Sequence, residues 1–389
     1  MEAVRKLERA LVDPEESRED VSLAGGSTGI ALIHAYVCDA LGTDGSREHA
    51  ERQLRRGAEA LPGSGLDVSL YEGIAGVGWV AEHLVGRGFD AHLDAGDGVT
   101  DLVDRLLLEH VSRTPWDAEY DLISGLVGIG IYGLERSAHP SSDPLLATVL
   151  DRLEETAERT SEGISWETDR MSIPEPWRDR YPPRFRNLGV AHGVPGVVGF
   201  LGAARGLGVA PERVSPLLDG AVRWTLAHGT GEPGARFPLW DAPGEGPSPA
   251  RSAWCYGDPG VATVLCVAAR GAGEPAWGRA AAETLRDVAL RPRPDMRVDD
   301  PWLCHGAAGL AHLHNRMFRA TGDPWFADQA LHWLEETLAM LPAHDPSKNP
   351  GFLTGAAGAG LVLLAAVTDV EPQWDRLLLA SCRDPGASM

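Results

Sequence analysis

Apolar residues along this chain fall into two kinds of segment that alternate. In the first kind they keep one helix face. Leu146, Val149, Leu150 and Leu153 stand at i, i+3, i+4 and i+7, with charged residues opposite in "DRLEETAER", the pattern of an amphipathic helix. In the second kind, as in "VGWVAEHLV" and "AGLVLLAAV", the positions are apolar nearly all round, which predicts helices buried on every side. Proline punctuates the first kind: Asp143-Pro144, Glu274-Pro275 and Asp323-Pro324 read as helix starts, with proline in the first turn and the preceding acid as a cap.

A Gly-x-x-Gly corner introduces each buried helix. It recurs seven times, from Gly26, Gly73, Gly125, Gly193, Gly257, Gly306 and Gly355, at intervals of about 50 to 70 residues, the size of a helical hairpin with loops. The repeat is therefore an outer amphipathic helix, a corner and an inner buried helix. The first and last corners match the middle ones and neither has a polar capping face, so closure into an all-α (α/α)7 barrel or toroid is expected rather than an open solenoid. The corners then gather at one end, at the N-termini of the inner helices. The whole chain, 1–389, is expected to be one domain. Two connections break the rhythm: 161–188, rich in Pro, Arg and Trp, and 230–250, rich in Gly and Pro. They are expected as irregular or short β segments over the mouth of the barrel.

Equivalent corner positions should point into one site. The two residues before the first corner glycine are Cys255-Tyr256 and Cys304-His305 in neighbouring repeats, and Ala191-His192 in the fourth. Cys255, Cys304 and His305 are thereby brought together. Two thiolates and an imidazole suit Zn²⁺, and three protein ligands with a fourth position open mark a catalytic rather than a structural site. His192 shares the corner frame without belonging to that set and is a candidate acid or base. Asp121, four residues before Gly125, could orient it, and Arg251, four before Cys255, could hold a developing oxyanion. The remaining cysteines, Cys38, Cys266 and Cys382, lie in apolar stretches and read as core thiols. His34, His83, His228, His312, His314 and His332 lie in helices without ligand spacing.

Composition narrows the partners. Of 389 residues 43% are hydrophobic and 23% charged, with a formal net charge of −21. That acidity argues against nucleic acid or an anionic membrane as partner. Five scattered cysteines do not make a disulfide framework. The start "MEAVRKLERA" is not a signal peptide and no apolar run is long enough for an integral membrane segment, so a cytoplasmic protein is expected.

"SAWCYGDPG", "WLCHGAAGL", "LGVAHGVPG" and "FLTGAAGAGL", on a sevenfold repeat, resemble the lanthipeptide (lanthionine) cyclase family of LanC-like proteins over essentially the whole chain. The resemblance implies an α/α toroid with one zinc on Cys255, Cys304 and His305. It implies that a cysteine of a dehydrated precursor peptide, which carries a leader, is added to dehydroalanine or dehydrobutyrine to close a thioether ring. His192, Asp121, Arg251 and Tyr256 would be the acid/base and orienting residues. The repeats run from near residue 22 to residue 369 and leave no room for a dehydratase domain, so a separate dehydratase is implied. Two other readings remain open from the residues: a non-catalytic zinc protein that binds a thiol such as glutathione, and an α/α-barrel glycoside hydrolase using Asp121 and Glu72.

Overall fold

The computed structural model describes residues 1–12, 20–61, 65–89, 98–230 and 232–381. Its helices, in order, are α1 (Glu2–Ala10), α2 (Ser27–Leu41), α3 (Asp44–Ala60), α4 (Ile74–Val85), α5 (Val99–Val111), α6 (Leu126–Glu135), α7 (Ser142–Thr156), α8 (Val194–Gly206), α9 (Pro211–Ala227), α10 (Asp258–Ala272), α11 (Pro275–Asp287), the short α12 (Arg293–Met296), α13 (Ala307–Thr321), α14 (Pro324–Met340) and α15 (Ala356–Val367). Seven of them, α2, α4, α6, α8, α10, α13 and α15, pack each on the next, and α15 returns to α2. This closes the inner ring of an α/α toroid. As the apolar-all-round pattern predicts, nearly every residue of α4 and α15 is buried.

Inner helices pair with the amphipathic helix that follows them, most closely α2 on α3, α6 on α7 and α13 on α14, while α8 and α10 pack most closely on each other. The spatial hairpin is thus inner-then-outer, one step out of phase with the repeat unit expected from the sequence. Among the described residues no outer helix follows α15. Helix α1 takes that place and packs on α15, so the two ends of the described chain interlock. Leu145, Leu146, Val149, Leu150 and Leu153 form the buried stripe of α7. Pro275 and Pro324 open their helices, and Asp323 caps α14 through the Trp325 N–H. Asp143 and Glu274 make no such cap: α7 begins at Ser142, ahead of Asp143, and Glu274 has no capping bond.

Close backbone approach explains the glycines of the corners. The first glycine of each caps an inner helix, and a Cβ there would meet the carbonyl oxygen six residues earlier: Asp67 O at 2.4 Å from Gly73, Arg251 O at 1.9 Å from Gly257, Asp300 O at 2.3 Å from Gly306. The second glycine repeats the clash six residues back, as with Trp254 O at 2.0 Å from Gly260 and Leu303 O at 2.1 Å from Gly309. A Cβ contact that short forces the backbone apart. Gly257 is further set in the left-handed region, at φ 91°, which a side chain disfavours.

The tightened corners bond to one another. The N–H of Ala24 donates to Tyr71 C=O (2.8 Å), Ile123 to Ala191 (3.3 Å), Ala191 to Cys255 (3.2 Å), Cys255 to Cys304 (3.4 Å), Cys304 to Leu353 (2.8 Å) and Phe352 to Ala24 (2.8 Å). This belt of backbone bonds passes from the last corner to the first. It makes the residue two before each corner glycine structurally equivalent.

Both interrupting segments enter at the corner end and carry short strands. β1 (Glu158–Thr160) pairs antiparallel with β2 (Gly163–Ser165). β3 (Thr168–Asp169), β4 (Arg184–Asn187) and β5 (Trp240–Asp241) form a three-stranded antiparallel sheet with β4 in the middle. The 230–250 connection is tied to the fifth corner by Asp258, whose carboxylate accepts the N–H groups of Arg236 (3.0 Å) and Phe237 (2.9 Å). Toward the other end, the turn Gln373–Leu378 sits among inner helices. Asp375 pairs with His312 and Arg316 of α13, Arg376 with Glu135 of α6, and Leu379 lies against the Gly199 position of α8. This turn reaches the corners from below: Trp254 Nε1 donates to Leu378 C=O at 2.8 Å and Tyr71 Oη to Leu377 C=O at 2.7 Å.

Candidate functional site

The belt sets Cys255 beside Cys304, since their corners cap adjacent inner helices. The ligand atoms of Cys255, Cys304 and His305 all lie within 4.8 Å of one another, and among the described residues no other His, Cys, Asp or Glu group of three does so. Cys255 is 9% exposed, and Cys304 and His305 are half-buried, so the cluster is reachable from solvent at the corner end.

Its electrostatics favour a cation. A hydrogen bond from Cys304 lowers the pKa of the Cys255 thiol; burial opposes this, and His305 and Arg251 add to it. The same contact raises Cys304 well above the ordinary thiol range, because a second thiolate would face the first. A divalent ion removes that repulsion, and two thiolates with one imidazole are a donor set that fits zinc.

Asp300 completes the cluster. Its Oδ1 accepts the Trp302 N–H at 2.9 Å, and Oδ2 lies 3.2 Å from His305 Nε2. The carboxylate is the chief reason His305 is raised to about 9. It engages Nε2 and leaves Nδ1 as the ring atom for a metal, the arrangement that orients metal-binding imidazoles. Asp300→Asn keeps an acceptor for Trp302 N–H but loses the charge on the histidine. Zinc affinity, measured by competition with a chelator, is expected to fall by about 10- to 100-fold; unchanged affinity would remove Asp300 from the site.

His192, on the corner preceding Cys255, meets Asp121: Nδ1 and Oδ2 are 2.5 Å apart. Asp121 is buried and its Oδ1 accepts the Ser124 N–H at 2.7 Å, so the carboxylate both builds its corner and holds the imidazole. The imidazole keeps 39% of its side-chain surface open. Burial acts to lower its pKa, but Asp121 more than offsets this and the net shift is upward. Glu119 lies alongside, with burial and Asp121 raising it and a bond to Ser172 of the first interrupting segment lowering it. The Tyr256 ring is centred 6.5 Å from that of His192. Arg251 carries no ion pair with a carboxylate among the described residues, and its charge bears on Cys255, Cys304 and Asp300.

All seven residues singled out in the sequence thus lie at the corner end. Asp300, Asn187 and Glu119 escaped notice, although a signal existed. The position six before the first corner glycine reads Asp20, Asp67, Glu119, Asn187, Arg251, Asp300 and Asn349. Four of these accept the N–H two residues on, as in Asp20 to Ser22 and Asp67 to Ser69. Away from the corners, Cys38 and Cys266 are buried, while Cys382 lies outside the described residues. His34, His83 and His312 are buried with the carboxylates Glu8, Glu135 and Asp375. Trp79, Trp224 and Trp333 are core residues. Among the described residues no helix is long and apolar enough to cross a membrane.

A family model described as "Lanthionine synthetase C-like protein" matches residues 17–379. The nisin biosynthesis protein NisC of Lactococcus lactis subsp. lactis is 24% identical over 318 residues, which are 76% of this chain and 73% of that protein. A solved structure of nisin cyclase shares the fold with a TM-score of 0.82 at 22% identity, and 97% of each chain is covered.

Proposed function

The chain belongs to the lanthionine synthetase C-like family, and from that premise we propose that it is a zinc-dependent peptide cyclase that closes lanthionine or methyllanthionine rings. The observation that carries the reading is the Cys255–Cys304–His305 cluster standing beside the His192–Asp121 pair at the corner end. A reactive thiol donor set and a carboxylate-held imidazole are what the addition of a thiol to a dehydroamino acid requires.

Cys255, Cys304 and His305 would hold the zinc. Bound there, zinc would supply a substrate cysteine as thiolate at neutral pH, where a free thiol with a pKa of about 8.5 is mostly protonated. The sulfur forms a bond to the β-carbon of dehydroalanine or dehydrobutyrine, and the alkene electron pair moves onto the adjoining carbonyl as an enolate. Arg251 donates hydrogen bonds to that oxygen. His192, kept protonated by Asp121, delivers a proton to the α-carbon. The thiol proton lost at the start balances the proton gained at the end, with no change of oxidation state. The peptide comes from a precursor whose serines and threonines a separate dehydratase has converted, and we place the chain in the cytoplasm with that enzyme.

The zinc-loaded protein incubated with a dehydrated, cysteine-containing peptide tests this reading. Ring closure leaves the mass unchanged but protects the cysteine from alkylation, so the product should take up no alkylating agent while the chelator-treated control does. A peptide that binds yet stays fully alkylatable would mark a thiol-binding protein instead.

The His192–Asp121 pair also sets a pH dependence. With Asp121 present the imidazole titrates above its usual value; with Asp121→Asn only the charges of Cys255 and Glu119 oppose burial, and the value drops. As His192 must be protonated to donate, kcat falls as pH rises through its pKa. The alkaline limb of the kcat profile is therefore expected at lower pH in Asp121→Asn than in the wild type, at equal zinc content. A limb that does not move would mean that the proton comes from another group.

A further inference from the structure

The surroundings of Tyr256 give a part to a residue outside the set above. Asn187 is wholly buried and ends β4, and it stands in register with Trp240 of β5. Its Oδ1 accepts the Gly189 N–H at 2.9 Å. A backbone N–H can only donate, so this bond fixes which way the carboxamide faces. The amide nitrogen is left to donate to Tyr256 Oη, 3.0 Å away. Gly189 supplies the space: a Cβ there would lie 2.5 Å from Tyr256 Cε1 and 2.6 Å from Cδ1. The turn that builds the fourth corner thus clamps the tyrosine of the fifth.

This contact uses the hydroxyl as an acceptor. Among the described residues no acceptor takes its proton, and an ordinary phenol, with a pKa of about 10, is protonated at neutral pH. The O–H is free to donate to a ligand that reaches the corner end. An enolate oxygen formed beside His192 is an acceptor of the right kind, and a donor fixed before the charge develops stabilises it without reorganisation.

We propose that Asn187 is the positioning residue for Tyr256: its fixed carboxamide occupies the acceptor side of the phenol and leaves the O–H to donate to the enolate oxygen of the peptide. No proton is transferred in this step; the tyrosine keeps its own, and His192 supplies the one that reaches carbon. The inference rests on the cyclase reading for its substrate, but the clamp itself is a property of the protein alone.

Two measurements on the zinc-loaded full chain test it. In the first, Asn187→Ala and Tyr256→Phe are each expected to lower kcat for ring closure about tenfold with KM little changed, the mark of an interaction made in the transition state. The double variant is expected to be no slower than Tyr256→Phe alone. Asn187→Asp should be slower than Asn187→Ala, since a carboxylate accepts the phenol proton that the substrate needs. Losses that multiply in the double variant, including any from misfolding, would overturn the proposal, as would an Asn187→Asp enzyme of wild-type rate. In the second, tyrosine labelled with ¹³C at Cζ gives at most six resonances, and Tyr256 is identified by its loss in Tyr256→Phe. Asn187→Ala should shift that resonance; if it does not, the clamp is absent in solution. A wild-type protein that closes no ring would defeat the cyclase reading, while the resonance would still decide the clamp.

Discussion

Cys304→Ala is expected to purify without zinc and to close rings no faster than the uncatalysed peptide. Cys304 is half-buried at the corner end and its sulfur lies within 4.8 Å of the other two donor atoms, so its loss leaves one thiolate and one imidazole, too few to retain the ion against a chelator. Its backbone bonds to Cys255 and Leu353 do not need the side chain, and the fold should persist, with the helical signal and melting temperature of the metal-free wild type. Cys266→Ala is the control. That thiol is buried within α10, away from the corner, so zinc should remain at about one per chain. Equal zinc in both variants would show that the thiols of the corners do not hold it.

His192→Asn is expected to separate metal from chemistry. The imidazole lies on the corner next to the cluster, tied to Asp121 and not to the thiols. The variant should keep near-stoichiometric zinc and bind peptide, yet close rings more slowly by roughly 10²-fold or more, the usual size of an acid/base contribution. His305→Ala should lose zinc and activity together. If His192→Asn lost its zinc, the residue would be a ligand; if it cyclised at the wild-type rate, the proton would have to come from Tyr256 or water.

The contrast between what the sequence disclosed and what it hid follows from the physics of the corners. Close approach to a carbonyl six residues back excludes every side chain at two positions per corner, so the architecture is written as glycine and is visible without a structure. The same belt makes one position equivalent in all corners, which is why Cys255, Cys304, His305 and His192 could be assembled on paper. Asp300 and Asn187 were hidden because their type has a second purpose. At Asp20 and Asp67 the same position serves a turn, and only the three-dimensional neighbour distinguishes the aspartate that reaches His305 or the asparagine that reaches Tyr256. The partnership of α1 with α15 was equally illegible. An amphipathic stripe states that a helix will be covered, not by which element, and here the partner stands at the far end of the chain. The closing turn at Gln373–Leu378 is too short for any period to show. Its role depends on two carbonyl groups, those of Leu377 and Leu378, which accept from Tyr71 and Trp254 and which sequence does not distinguish from any others.

The central claim is that two protein thiolates and one imidazole hold a zinc to which the substrate thiol is added. X-ray absorption at the zinc edge counts those neighbours directly. The account predicts two sulfur atoms in the resting protein, from Cys255 and Cys304, with nitrogen or oxygen in the remaining positions, and three sulfur atoms once a cysteine-containing dehydrated peptide is bound to His192→Asn, where closure is slow. A sulfur count that stays at two when peptide is bound would contradict it.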